Sequence, residues 1–87
     1  MNLGRVIGRL WASAKHDSLK GLKLLIVSVL DAEGRPTSLY EVAADTVDAG
    51  ASDVVLTVRG SSSKMTPSTE TATIDCAIVG VVDHVEK

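Results

Sequence analysis

Alternation of apolar and polar positions runs through most of this 87-residue chain and predicts five strands. It is clearest over Asp53–Arg59, where Val54, Leu56 and Val58 share one side and Asp53, Thr57 and Arg59 lie with Val55 on the other. Asp48-Ala49-Gly50 supplies turn chemistry before that strand, with Gly50 free to take a positive φ. Gly60 ends it, and a short helix is expected over Ser61–Thr66, capped by the Ser61 hydroxyl and stopped by Pro67. Leu3–Ser13 reads as the first strand, with Leu3, Arg5, Ile7, Arg9 and Trp11 opposite Gly4, Val6, Gly8, Leu10 and Ala12. Glycines at alternate positions suit a strand that bends sharply or that another backbone approaches closely.

Leu22–Leu30 is the second strand, and both of its sides are apolar: Leu22, Leu24, Ile26 and Leu30 on one, Leu25, Val27 and Val29 on the other. A sheet apolar on both faces must be covered on both. A small barrel has a single interior, so the second face needs a helix or a neighbouring subunit. Leu25, Val27 and Val29 are the candidate interface face. The third strand is expected at Leu39–Ala44 and the last at Ile74–Val85, again apolar on both sides. Ala14–Gly21 reads as a polar connection, Asp31–Pro36 as a turn, and Pro67–Thr73 as an exposed Ser/Thr-rich loop. Five mostly antiparallel strands with one short helix predict a mainly β fold, a small five-stranded OB-like Greek-key barrel.

Length limits residues 1–87 to a single domain burying only ~60–65% of its unfolded surface, so self-association would help it. With 45% hydrophobic residues but one Trp, one Tyr and no Phe, the core must come from Val, Leu, Ile and Ala. The net charge of −2 comes from basic and acidic residues mixed along the chain, with no basic run for phosphates. Nucleic acid is therefore not the expected partner. Nor is a membrane, since no apolar run approaches the ~20 residues of a spanning helix. Cys76 is the only cysteine, which excludes an intrachain disulfide and fits a reducing cytosol. Arg5, Val6-Ile7 and Ala12-Ser13-Ala14 mimic a secretion signal, but Gly8 and Arg9 interrupt the apolar region, and the segment is read as mature protein.

Candidate chemistry is sparse. Ser61-x-x-Lys64 has the spacing of a serine nucleophile and its activating amine, without the accompanying motifs, so a plain helix start is preferred to catalysis. Gly60-Ser61-Ser62-Ser63 could cradle an anion with backbone N–H groups, but the phosphate-loop pattern is absent. His16 with Asp17 and His84 with Asp83 make no recognisable metal site, and no metal or cofactor is expected. Cys76 reads as a small buried hydrophobe. Trp11 and Tyr40 could stack bases, but without a positive groove packing is the better account of both.

Five segments in order resemble one family. They are Leu3-Gly4-Arg5-Val6-Ile7-Gly8, the run Lys15–Leu25, Val42–Gly50, Gly60-Ser61-Ser62, and Asp75–Asp83. Together, from Leu3 to Val85, they resemble the EutN/CcmL family of small shell proteins that cap the vertices of bacterial microcompartments as pentamers. The resemblance implies a non-enzymatic, architectural function in the bacterial cytoplasm. Its implied partners are further copies of the chain and hexameric shell proteins, and Gly60, Ser61 and Ser62 become a candidate subunit-interface or axial-pore segment. Ser63-Lys64 stands where many relatives have Ala-Arg, so a role tied to that arginine does not carry over. Contacts made by the C-terminal extension of several relatives do not carry over either, because this chain stops at Lys87. The alternative is an OB-like binding module for nucleic acid or a small anionic ligand.

Overall fold

Five strands close into a barrel: β1 (Asn2–Arg9), β2 (Lys23–Leu30), β3 (Pro36–Asp45), β4 (Val54–Arg59) and β5 (Cys76–Val81). Their order around the wall is β1-β2-β3-β5-β4, with β4 returning to β1. The computed structural model describes residues 1–11, 17–19, 21–66, 69 and 74–86. All neighbouring strands are antiparallel except β3 and β5, which meet in a short parallel contact at Ala44 with Ala77 and Asp45 with Ile78. This is the five-stranded Greek-key arrangement that the pattern predicts. Among the described residues, no helix is long and apolar enough to cross a membrane.

Several boundaries differ from expectation. β3 starts three residues early, at Pro36, a position where a strand tolerates proline because its first N–H need not join the ladder. β5 ends at Val81; Val82 still donates to the Val54 carbonyl at 2.8 Å, and no strand follows. The expected helix is a 3-10 helix, Gly60–Lys64, and Ser61 does not cap it. The Ser63 hydroxyl instead donates to the Gly60 carbonyl at 2.6 Å. Of the turn before β4, Asp48 and Ser52 take the positive φ (57° and 70°), not Gly50. The carboxylate of Asp45 accepts from the backbone N–H groups of Val47 and Ala49, and that of Asp53 from Gly50, so side chains hold this turn. Residues 67, 68 and 70–73 of the expected exposed loop lie outside the described residues. Thr69 is described and is buried, its hydroxyl paired with that of Thr66.

The interior corrects the expected interface face. Leu25, Val27 and Val29 are 3%, 0% and 8% exposed, and Leu25 and Val27 belong to the core with Val6, Ala43, Ala49, Val55, Cys76 and Ile78. The register explains it. Val27 is paired with Val6 on one side and Glu41 on the other, and Leu25 with Ala43, so this whole set points inward. On β4, likewise, Val55 and Thr57 face the centre while Val54 and Leu56 are only half-buried. Gly4 has its own reason to be glycine. A Cβ there would fall on Val27 Cγ1 and lie 3.1 Å from the Ser28 carbonyl oxygen, so β1 and β2 approach as closely as they do only because it is absent. Ile7 is the extra residue of a bulge opposite Val27 and Ile26, which bends β1 around the barrel.

Candidate functional site

With the Leu25–Val27–Val29 side turned in, the outer wall takes the alternate positions. Across β2 and β3, Leu24 lies beside Ala44, Ile26 beside Val42 and Ser28 beside Tyr40. Tyr40 is 64% and Val42 49% exposed, and Leu39 beside them is 63% exposed. An exterior wall facing water is normally polar; this one is not. Leu3 and Arg5 of β1, Val54 of β4, Leu30 at the end of β2, Ala32, Glu33 and Gly34 of the turn after it, and Val85 line a groove of about 250 Å³. Arg5 donates to the Ser52 carbonyl at 2.7 Å, which fixes its guanidinium against the barrel.

The Gly60–Lys64 turn sits on a polar core that sequence reasoning missed. Glu41, on the inward side of β3, is buried. Its Oε1 accepts from Asn2 Nδ2 at 2.7 Å and Arg59 Nη1 at 2.9 Å, and its Oε2 accepts from Thr57 Oγ1 at 2.9 Å and Cys76 Sγ at 3.6 Å. One carboxylate thereby ties together β1, β4 and β5 immediately before the turn leaves the barrel. Arg59 also reaches Asp75 at 3.5 Å, and the Gly60 N–H donates to the Asp75 carbonyl at 2.8 Å. Burial, the largest single influence, pushes the Glu41 carboxyl up. The hydrogen bonds from Arg59, Asn2, Thr57 and Cys76 together outweigh it and hold the group below its ordinary value. The same burial, with the charge of Glu41 beside it, pushes the Cys76 thiol up to about 11. The hydrogen bond to Glu41 raises Arg59 further.

Gly60, Ser61 and Ser62 stay together at the head of this turn. Gly60 has φ +63°, a left-handed conformation, and Ser61 and Ser62 are exposed. Lys64 is exposed beside them, and no hydrogen bond joins it to Ser61 among the described residues. The expected packing of the two rings is not found: Trp11 is 77% exposed and stacks against the Arg9 guanidinium, 4.1 Å from its centroid. Tyr40 projects from the outer wall. Cys76 is buried, as its apolar strand implied. His84 is exposed and lies 3.9 Å from Glu86, while His16 is outside the described residues. Among the described residues, no three His, Cys, Asp or Glu side chains gather as a metal site.

The Glu41 network was hidden because its members are scattered: Asn2, Glu41, Thr57, Arg59 and Cys76 meet only through strand register. The available signal was that Glu41 shares its side of β3 with Ala43, an ionisable residue beside a small apolar one.

Comparison with known proteins places this geometry. The family described as ethanolamine utilisation protein EutN/carboxysome matches residues 1–83. The carboxysome shell vertex protein CcmL of Gloeobacter violaceus is 39% identical over 85 residues, covering 98% of this chain and 85% of the relative. Its solved structure superposes with a TM-score of 0.95 at 38% identity, covering 100% of this chain and 90% of that one. The bacterial microcompartment shell vertex protein GrpN of Rhodospirillum rubrum is 41% identical over 86 residues, covering 99% of this chain and 97% of the relative. The structure described as the GrpN pentameric microcompartment shell protein superposes with a TM-score of 0.91 at 40% identity, covering 100% of this chain and 99% of that one.

Proposed function

The chain belongs to the EutN/carboxysome family, EutN/CcmL, and from that premise we propose that it is a structural shell protein whose pentamers cap the vertices of a bacterial microcompartment. The observation that carries this reading is the likeness to GrpN, a pentameric shell protein matched in sequence and in fold over nearly its whole length. The physical role follows from geometry. Flat sheets of hexamers cannot close into a polyhedron, and a five-fold unit at each corner supplies the missing curvature. A cyclic ring joins one patch of each copy to a different patch of the next. Hexameric shell proteins are the partners around the ring. Gly60, Ser61 and Ser62 lie at the subunit contact or line the opening on the ring axis, and no side chain of this chain performs catalysis. The alternative binding-module reading gains nothing from the two relatives, both of which are named as shell vertex proteins.

Native mass spectrometry of the purified chain at micromolar concentration tests the ring directly, with a five-subunit species expected. Electron microscopy of hexameric shell protein mixed with this chain tests the vertex role. Closed particles are expected only when the chain is present. A stable monomer, or particles that close equally well without it, would overturn the proposal.

A further inference from the structure

We propose that the mouth of the barrel beside Arg9 binds a small carboxylate with a short aliphatic tail, a site that goes beyond the shell role and does not depend on it. The mouth lies where β1 ends and β2 begins, against the loop that precedes β4. A cavity of about 250 Å³ opens there. Its floor is Val6, Leu25 and Ala49, all buried members of the core. Gly8, Gly50 and Ala51 complete the lining, and residues that small leave the core within reach from outside. The volume falls below the ~300–1,000 Å³ of pockets for drug-sized molecules, so the occupant is small. Barrel mouths are a usual place for such sites.

Two cations line the cavity, Lys23 and Arg9, and they are not equivalent. Lys23 is fully engaged, its ammonium 2.9 Å from the Ala49 carbonyl, 3.2 Å from Asp45 and 3.4 Å from Asp48. Arg9 is exposed and, among the described residues, makes no hydrogen bond and no ion pair. Its guanidinium rests on the Trp11 ring, 4.1 Å from the centroid, which orients the plane and leaves the N–H edges open. A free fork of that kind takes a carboxylate through two parallel hydrogen bonds. One negative charge is favoured over two, because Asp45 and Asp48 stand at the same mouth and repel a phosphate dianion. The apolar floor then covers the aliphatic tail. Two other cavities lack this pairing. In the groove beside Leu3 and Val54, Arg5 is held by the Ser52 carbonyl. Beside Leu24 and Val42 the charged group is Asp75, which is paired with Arg59.

Trp11 is the only tryptophan of the chain, so its fluorescence reads this site without a label. The full chain is titrated with sodium pentanoate at neutral pH and constant ionic strength, with acetate, pentanamide and inorganic phosphate as controls. Pentanoate is expected to give a saturable change with a dissociation constant in the millimolar range, and each control to bind at least about fivefold more weakly. Proton–nitrogen NMR of the same titration is expected to place the largest shifts at Gly8, Ala49 and Gly50. Arg9→Gln should weaken pentanoate about five- to tenfold, and Arg9→Lys, which keeps the charge without the fork, by less. Ala51→Leu narrows the cavity, leaves Arg9 in place and should bring pentanoate down toward acetate. Circular dichroism confirms that each variant is folded. The absence of a saturable change, pentanamide or phosphate binding as well as pentanoate, shifts centred elsewhere, or a folded Arg9→Gln that binds like wild type would each overturn the site. A wild type that binds pentanoate yet stays monomeric would overturn the ring reading and leave this site standing.

Discussion

Replacing Glu41 by Gln keeps the shape of the buried side chain and removes its charge, which isolates what the carboxylate does for the barrel. In the native chain Oε1 takes hydrogen bonds from Asn2 and Arg59, and Oε2 from Thr57 and, at longer range, Cys76. A glutamine keeps one carbonyl oxygen, best directed at Asn2 and Arg59, and turns an NH₂ group toward Thr57 and Cys76. Thr57 can reverse its hydroxyl to accept, whereas a thiol is a poor acceptor. Hydrogen bonds to a charged group are each worth about 1.5–3 kcal/mol and neutral ones about 0.5–1.5 kcal/mol. Losing that difference twice, with Arg59 half-exposed and still solvated, gives an expected loss of about 2–3 kcal/mol. For a domain this size that is roughly 10–20 °C in melting temperature. Urea unfolding at one fixed protein concentration measures it, because assembly makes apparent stability depend on concentration. The pH dependence supplies a second check. Glu41 is held below its ordinary value of 4.5 when folded, so its contribution is fully present above that value and is lost as the pH falls through the folded value. The gap between wild type and Glu41→Gln should therefore narrow as the pH is taken below about 4.5. Had burial won over the hydrogen bonds, the gap would widen in favour of wild type on acidification. A loss under about 0.5 kcal/mol, or a gap that widens, refutes the account.

Gly4→Ala places a methyl on Val27 in the β1–β2 approach and should cost about 1–3 kcal/mol, measured by urea unfolding; an unchanged midpoint would show that the strands separate freely. Gly60→Ala meets no atom within 4 Å but must adopt φ +63°, so a loss of about 1–2 kcal/mol is expected from backbone conformation alone. Cys76, buried and pushed up to about 11, should stay inert to Ellman's reagent at pH 8 in the native protein and react fully in urea. Val27→Lys buries a charge at a position with no exposure, and circular dichroism should find the chain unfolded rather than folded and merely unassembled.

Strand number and much of the topology were legible because alternation marks strands and the Asp/Gly/Pro clusters mark where the chain reverses. The sign of each strand was not. In β2, Leu24 and Ile26 are as apolar as Leu25 and Val27, so a period of two identifies two faces without saying which turns inward. On β4 the visibly apolar side is divided, Val54 and Leu56 being only half-buried while Val58 is buried, and Thr57 faces in, where its hydroxyl donates to Glu41. The Gly60-Ser61-Ser62 segment was legible as a motif, and Gly60 does adopt the left-handed conformation that only glycine takes readily. Its helix start was misplaced by one residue because Gly60 itself begins the 3-10 turn, leaving Ser63 and not Ser61 to bond back. The outer wall was foreseeable as a surplus of apolar strand surface, but its location followed only from pairing.

A wall apolar on both sides creates a folding problem that the Glu41 network answers. Where one face is polar, slipping a strand by one residue exposes the core and is strongly opposed. Here a slip of β3 would exchange Ala43 for Val42 and Ala44, a change hydrophobicity alone scarcely penalises. The same slip would carry Glu41 to the outer wall and leave Arg59 and Thr57 without their acceptor, while the Tyr40 ring would enter a core in which Ala43 is the residue facing Leu25. Charge and side-chain volume therefore select the register where greasiness does not. Asp45 reinforces the choice at the far end of the strand, taking the Lys23 ammonium at 3.2 Å and the Val47 and Ala49 N–H groups of the following turn. Selecting that register sends Val42 and Tyr40 outward, where both are exposed. A buried carboxylate and an exposed tyrosine one residue apart thus serve the same end: the first decides which way the strand faces, and the second is what that decision presents.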